Sequence, residues 1–249
     1  MFAFDQEHTL FSQELKKYVT PNGVYYKVWK NHRKALDTYL EQLAQLDGKE
    51  YDKFTVDQKK ALWINAYNAL MIKVILDHYP ISGKDPEYPS NSIQQIEGVF
   101  EDFPYKIAGK DVTFYSIVHH IIRKDFNDPR IHFAVVCGSK DCATLKNSAY
   151  TASTLDKDLN QVTLNYMSQP SHVFYDAKTK TIKVSQSFGW SPLDFAKAAG
   201  FDKGPPPDDE EIIRKYISLY ASPAIKAVLL NKKVKLDYLP YDWSLNEAR

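Results

Sequence analysis

The run His132-Phe133-Ala134-Val135-Val136-Cys137-Gly138-Ser139-Lys140-Asp141-Cys142 holds the residue types best suited to covalent chemistry. Cysteine is the strongest soft nucleophile among the side chains once a base or a helix N-terminus favours its thiolate. Cys137 follows an apolar, β-branched stretch and opens a small polar loop with Ser139, and such a loop at a strand end is a common place for a site. His132 is the nearest candidate base. In a flat strand, however, positions 132 and 137 face opposite ways, and the two meet only if a bulge or turn intervenes, for which Gly138 provides. His119 and His120 offer a second imidazole, on the edge of a helix whose apolar stripe is Phe114, Ile117, Ile121 and Ile122. Spacing alone does not choose among them. The C-x4-C pair is neither the redox C-x-x-C nor half of a zinc site, so a small core residue, a Cys137–Cys142 disulfide in an oxidising compartment and a reactive thiol all remain open.

Two carboxamides form the other anomaly. From Thr55 to Tyr79 an almost unbroken apolar pattern starts at a Thr55-x-x-Gln58 capping box and stops at Pro80. At about 100° per residue, Lys59, Lys73 and Asp77 share the wet sector. Asn65 and Asn68 fall among Ile64, Ala69, Ile72 and Ile75, pointing inward. An unpartnered buried amide costs about 1–3 kcal/mol, so each must bind either loop backbone or a group in a pocket.

The remaining elements must position these groups. A helix carries Leu10, Phe11, Leu15 and Tyr18, and Thr20-Pro21-Asn22-Gly23 turns the chain. Val24–Trp29 is β-prone, and Leu36, Leu40, Leu43 and Leu46 mark a second helix. Residues 81–104 are loop-like, Tyr105–Val112 is a hairpin around Ala108-Gly109-Lys110, and a helix capped near Thr113 runs toward Asp128-Pro129. Ile131–Val136 has the size of a buried strand. A helix at about 153–167, a hairpin pairing Val173–Tyr175 with Ile182–Val184, and a short helix opened by Ser191-Pro192 follow. Beyond Pro205-Pro206-Pro207, a corner and not a linker, lies a helical pair around Ile212–Tyr220 and Ala224–Leu230. The mixed order predicts a single α+β domain over residues 1–249, with several helices around a small central, mostly antiparallel sheet. In it, N-terminal helices at 4–50 pack on a core at 51–249.

At 249 residues, 44% hydrophobic and 25% charged, the chain is long enough to fold without disulfide or metal. A net charge of +1 gives no field for nucleic acid or an anionic membrane, and no apolar run is long enough to cross a bilayer. Aromatics reach 14%, which suits dense packing better than a carbohydrate-like surface. No nucleotide, zinc-hydrolase, α/β-hydrolase or thioredoxin signature occurs, and no cofactor is expected.

Trp63-Ile64-Asn65-Ala66-Tyr67-Asn68-Ala69-Leu70 and Asp128-Pro129-Arg130-Ile131-His132-Phe133-Ala134-Val135-Val136-Cys137 resemble the two signature blocks of the domain-of-unknown-function 547 family. Ser92-Ile93, His119 with Arg123, Ser185-x-x-Phe188-x-Trp190, Asp194-Phe195 and the ending Tyr241-Asp242-Trp243-Ser244-Leu245-Asn246 support the resemblance. It implies that His132, Cys137, Asn65 and Asn68 are the family's own His, Cys and paired asparagines. It also implies an exported, extracytoplasmic bacterial protein whose signal is absent from this chain. Two departures stand out: Val118 replaces a Glu, and Asp141-Cys142-Ala143 replaces Gly-Cys-Pro.

The residues together predict a cysteine-dependent hydrolase or acyl transferase acting on an amide or ester. Cys137 is its nucleophile, His132 or His119 its base, and Asn65, Asn68, Trp63, Arg130 and Ser139 bind or orient. The alternatives are a non-enzymatic binding module for a small-molecule or peptide-like ligand, and a thiol–disulfide exchange protein using Cys137 and Cys142.

Overall fold

The computed structural model describes residues 3–248. In chain order the elements are α1 (Thr9–Tyr18), the two-residue strands β1 (Val19–Thr20) and β2 (Gly23–Val24), α2 (Tyr26–Lys30), α3 (Lys34–Gln45), α4 (Gly48–Asp52) and α5 (Val56–His78). Next come the hairpin β3 (Tyr105–Ile107) and β4 (Lys110–Val112), and then α6 (Phe114–Ser116), which continues as a π-helical segment, Ile117–Phe126. The rest comprises α7 (Leu155–Ser168), β5 (Val173–Asp176), β6 (Thr181–Ser185), α8 (Ser187–Trp190), α9 (Asp209–Ser218), α10 (Pro223–Leu229) and β7 (Lys235–Leu239). The architecture is α+β. Helices dominate, and among the described residues the strands form three small sheets, two of them single antiparallel hairpins. In the third, β6 pairs antiparallel with β5 and parallel with β7.

α5 is the organising element. The Thr55 hydroxyl accepts from the Gln58 N–H while the Gln58 carboxamide accepts from the Thr55 N–H, so the expected capping box closes. From Ala61 to Ile72 every side chain is buried, so this is a central helix and not a half-wet one. Around it, α1, α3 and the 105–122 region form one hydrophobic cluster. A second is built from the 162–234 region, including Tyr166, Ile182, Phe188, Phe195 and Tyr216.

Three expectations are corrected. Ile131–Val136 is not a strand: Pro129–Phe133 is a 3-10 turn, and Ala134–Val136 forms no strand. Its apolar composition has another cause, since Ile131, Ala134 and Val136 pack into the first cluster and Phe133 into the second. A segment caught between two cores needs the same residues as a buried strand. Nor is Val24–Trp29 a strand. Beyond β2 it coils into α2, which buries Tyr26 and Trp29 at helical spacing. Finally, the Ser191 side chain caps nothing, although Pro192 does begin a 3-10 turn ending at Phe195. The strand β7 and the short α8 carry no clear sequence signal.

Candidate functional site

The two inward asparagines of α5 hold backbone, the plainer of the two roles their burial allowed. Asn65 Nδ2 donates to the Tyr150 carbonyl at 2.8 Å, and its Oδ1 accepts from the Tyr150 N–H at 2.9 Å. Asn68 Nδ2 donates to the Ala134 carbonyl at 2.9 Å, and its Oδ1 accepts from the Val136 N–H at 2.9 Å. Both residues are at most 2% exposed. Asn68 thus provides the bonds that a neighbouring strand would have provided to the stretch linking His132 to Cys137.

After Val136 the chain turns at Gly138, whose φ of +80° favours glycine and whose missing Cβ would lie 2.6 Å from the Ile75 side chain. The turn brings Cys137 and Cys142 together as a disulfide. The Cys137 sulfur also lies 3.1 Å from the Ser139 hydroxyl and 3.7 Å from that of Tyr241. Ser139 and Tyr241 hydrogen bond to each other at 3.0 Å. Burial raises the Tyr241 phenol well above its ordinary pKa, so it stays protonated and a donor. The C-terminal tail zips onto this loop: Lys140 N–H donates to Ser244, Asn246 N–H to Gly138, and Asp242 N–H to the Asp141 carboxylate. The same tail bonds to Val24 beyond the β1–β2 turn. Between turn, loop and tail lies a cavity of about 230 Å³ lined by Asn22, Ser139, Lys140, Cys142, Gln169 and Glu247, among others.

The imidazoles form a separate cluster. His132 Nε2 lies 2.8 Å from Asp194 Oδ2. Arg123 grips the same carboxylate at two points, through Nε at 2.6 Å and Nη2 at 2.8 Å. Arg123 Nη1 also donates to His119 Nδ1 at 2.8 Å. Because a guanidinium only donates, the neutral His119 ring carries its proton on Nε2. Burial first and the Arg123 charge second push its pKa down. Tyr115 stacks on His119 with ring centres 4.2 Å apart. Burial alone would raise the Asp194 carboxyl, but the bonds from His132 and Arg123 outweigh it and hold its pKa below the ordinary value. Asp194 and Arg123 are the site residues that spacing did not single out. Asp194 lies 62 positions beyond its histidine, and no local periodicity reports a pairing that long.

The other expected binding residues lie elsewhere. Trp63 is fully buried, its indole N–H donating to Tyr51 at 2.8 Å. Arg130 belongs to a network with Asp128, Asp156 and Asn160 that ties the 3-10 turn to α7. Val118, where the resembled pattern has Glu, packs partly buried against the first cluster, so it gives the histidines no carboxylate. Ser139 alone among the orienting candidates touches Cys137. Neither histidine is among the hydrogen-bond partners of the Cys137 sulfur. Among the described residues no group of three or more His, Cys, Asp or Glu side chains is arranged to hold a metal ion, and no helix is long and apolar enough to cross a membrane.

Comparison with curated proteins and with solved structures gives no match. One family model does match, that described as "Protein of unknown function, DUF547", over residues 51–167. The matched segment contains α5 with both asparagines, the π-helical segment with His119, the His132 turn and the disulfide loop. That segment, a little under half of the chain, is what is similar to the DUF547 family.

Proposed function

We propose that the chain is a non-enzymatic binding module, for a small-molecule or peptide-like ligand, that works with its cysteines oxidised in an extracytoplasmic compartment. One observation carries this reading: the Cys137 sulfur is bonded to Cys142, while His132 and His119 are engaged by Asp194 and Arg123. A disulfide persists where the surroundings are oxidising, which supports an exported protein. The test is a chromogenic ester and a thioester offered to the unreduced chain. The reading expects no turnover; turnover that Cys137→Ser abolishes would overturn it.

A second reading, the cysteine-dependent hydrolase or acyl transferase, draws support from the Asp194–His132 pair, since a carboxylate that fixes an imidazole is the orienting half of many acid–base sites. It requires a dithiol reductant to open the disulfide first. The Cys137 thiolate then attacks the carbonyl, a histidine passes the thiol proton to the leaving group, and water or another acceptor releases the acyl thioester. Replacing Cys142 separates the possibilities. Under the hydrolase reading Cys142→Ser is active without reductant. Under thiol–disulfide exchange it is dead in an exchange assay. Under the binding reading it turns over neither substrate.

A further inference from the structure

The four tryptophans divide into two kinds. Trp29 and Trp63 are fully buried, and their indole N–H groups donate to Glu14 and Tyr51. Trp190 and Trp243 instead pair at the surface, ring centres 5.6 Å apart and planes within 24°. Trp190 is 53% exposed, and neither indole N–H has a partner among the described residues. Tyr241 flanks both, 4.9 Å from Trp190 and 4.7 Å from Trp243, and Tyr88 meets the edge of Trp243. Three distant segments of the chain, the 81–104 loop, α8 and the C-terminal tail, converge to build this surface. Keeping such large rings in contact with water forfeits hydrophobic stabilisation.

We propose that this aromatic surface is a saccharide-binding subsite, a pyranose ring stacking its C–H face on Trp190 while hydroxyls of an adjoining sugar unit accept from the free indole N–H groups at the ring edges. This rests on the binding-module reading and names its ligand class. The geometry selects a sugar on three counts. The two indoles stack on each other, and the half-exposed Trp190 offers a single flat ring face to solvent, which fits a flat apolar partner better than a compact cation. Their unpartnered N–H groups match a ligand that is apolar on its face and rich in oxygen at its edge. Lys140, Asp141 and Asp242, on the disulfide loop and the tail, engage one another, Lys140 lying 3.7 Å from Asp242 and the Asp141 carboxylate accepting from the Asp242 N–H, an arrangement of mixed sign that gives an ion little to select. Tyr241 also couples the platform to the loop, because its hydroxyl bonds Ser139 beside the disulfide.

The experiment titrates the intact, oxidised chain with tetrasaccharides of β-1,4-linked glucose, β-1,4-linked N-acetylglucosamine and α-1,4-linked glucose, following tryptophan fluorescence and calorimetry. At least one should bind with Kd of about 1 mM or tighter. Trp190→Ala should weaken it about tenfold or more, and Trp190→Phe less, as loss of a stacking face predicts. Trp190 is half-exposed, so both variants should fold, which circular dichroism checks. Absence of binding by all three sugars overturns the saccharide assignment, as does binding that Trp190→Ala leaves unchanged. Binding of a proline-rich peptide or tetramethylammonium in their place also overturns it. A count of free thiols, made without any ligand, tests the parent reading separately.

Discussion

His132 Nε2 and Asp194 Oδ2 stand 2.8 Å apart, so the imidazole nearest Cys137 in sequence is committed to a carboxylate 62 positions further along the chain. With Arg123 on the same carboxylate, the pair joins the π-helical segment to the 3-10 turn after α8. Asp194→Asn should therefore destabilise the fold by about 1–2 kcal/mol at neutral pH, the pair being only partly shielded from water. The folded-state pKa of Asp194 is depressed. Its contribution is full above the unfolded carboxyl's value and is lost as pH falls through the folded one. Urea unfolding of both proteins should show their difference shrinking below about pH 4. A difference that ignores pH would mean the carboxylate's charge is not engaged.

Asn68 replaces a missing strand neighbour. Truncating it to Ala leaves the buried Ala134 carbonyl and Val136 N–H without partners, and should cost about 2–5 kcal/mol. Asn65→Ala should behave alike through Tyr150. Chemical denaturation measures both. If Asn68→Ala is as stable as the parent, the link between His132 and Cys137 is held by something else.

Local signals and long-range pairings differed in how much the sequence revealed. The capping box at Thr55 and Gln58, the β3–β4 turn at Ala108 and Gly109, and the inward asparagines were legible because each depends on residues a few positions apart. The segment 131–136 was not. Its composition reports burial on both sides, and burial between two cores looks the same as burial in a sheet. Cys137 and Ser139 were found by residue type, while their contact with Tyr241 and the pairing of His132 with Asp194 are tertiary. Nothing near Trp190 distinguishes it from the core Trp63; only the fold places one indole in water and the other under Tyr51.

His8 is buried with Nδ1 against the Tyr39 hydroxyl at 2.8 Å and Nε2 without a partner among the described residues. Burial pushes its pKa down to about 4. Between that value and the unfolded one near 6.5 the unfolded chain binds the extra proton, so stability falls with pH across this window, by about 3 kcal/mol in all. Denaturation midpoints from pH 7 to pH 4 should follow this slope. His8→Phe should flatten it; an unchanged slope would assign the acid sensitivity elsewhere.

Opening the disulfide should loosen the tail as well as the loop. The closed ring is short, and its loss should cost about 2 kcal/mol by chain entropy. Amide exchange at Lys140 and Asn246, which bond Ser244 and Gly138, should quicken on reduction, while amides within α5 stay protected. Uniform quickening would indicate global unfolding and not a local clasp.

The most direct measurement is the alkylation of unreduced, denatured protein, followed by mass. The account predicts no alkylated cysteine before reduction and two after it, with Cys137 and Cys142 recovered in one cross-linked peptide. Two alkylated cysteines before reduction, together with ester turnover that requires Cys137, would contradict it.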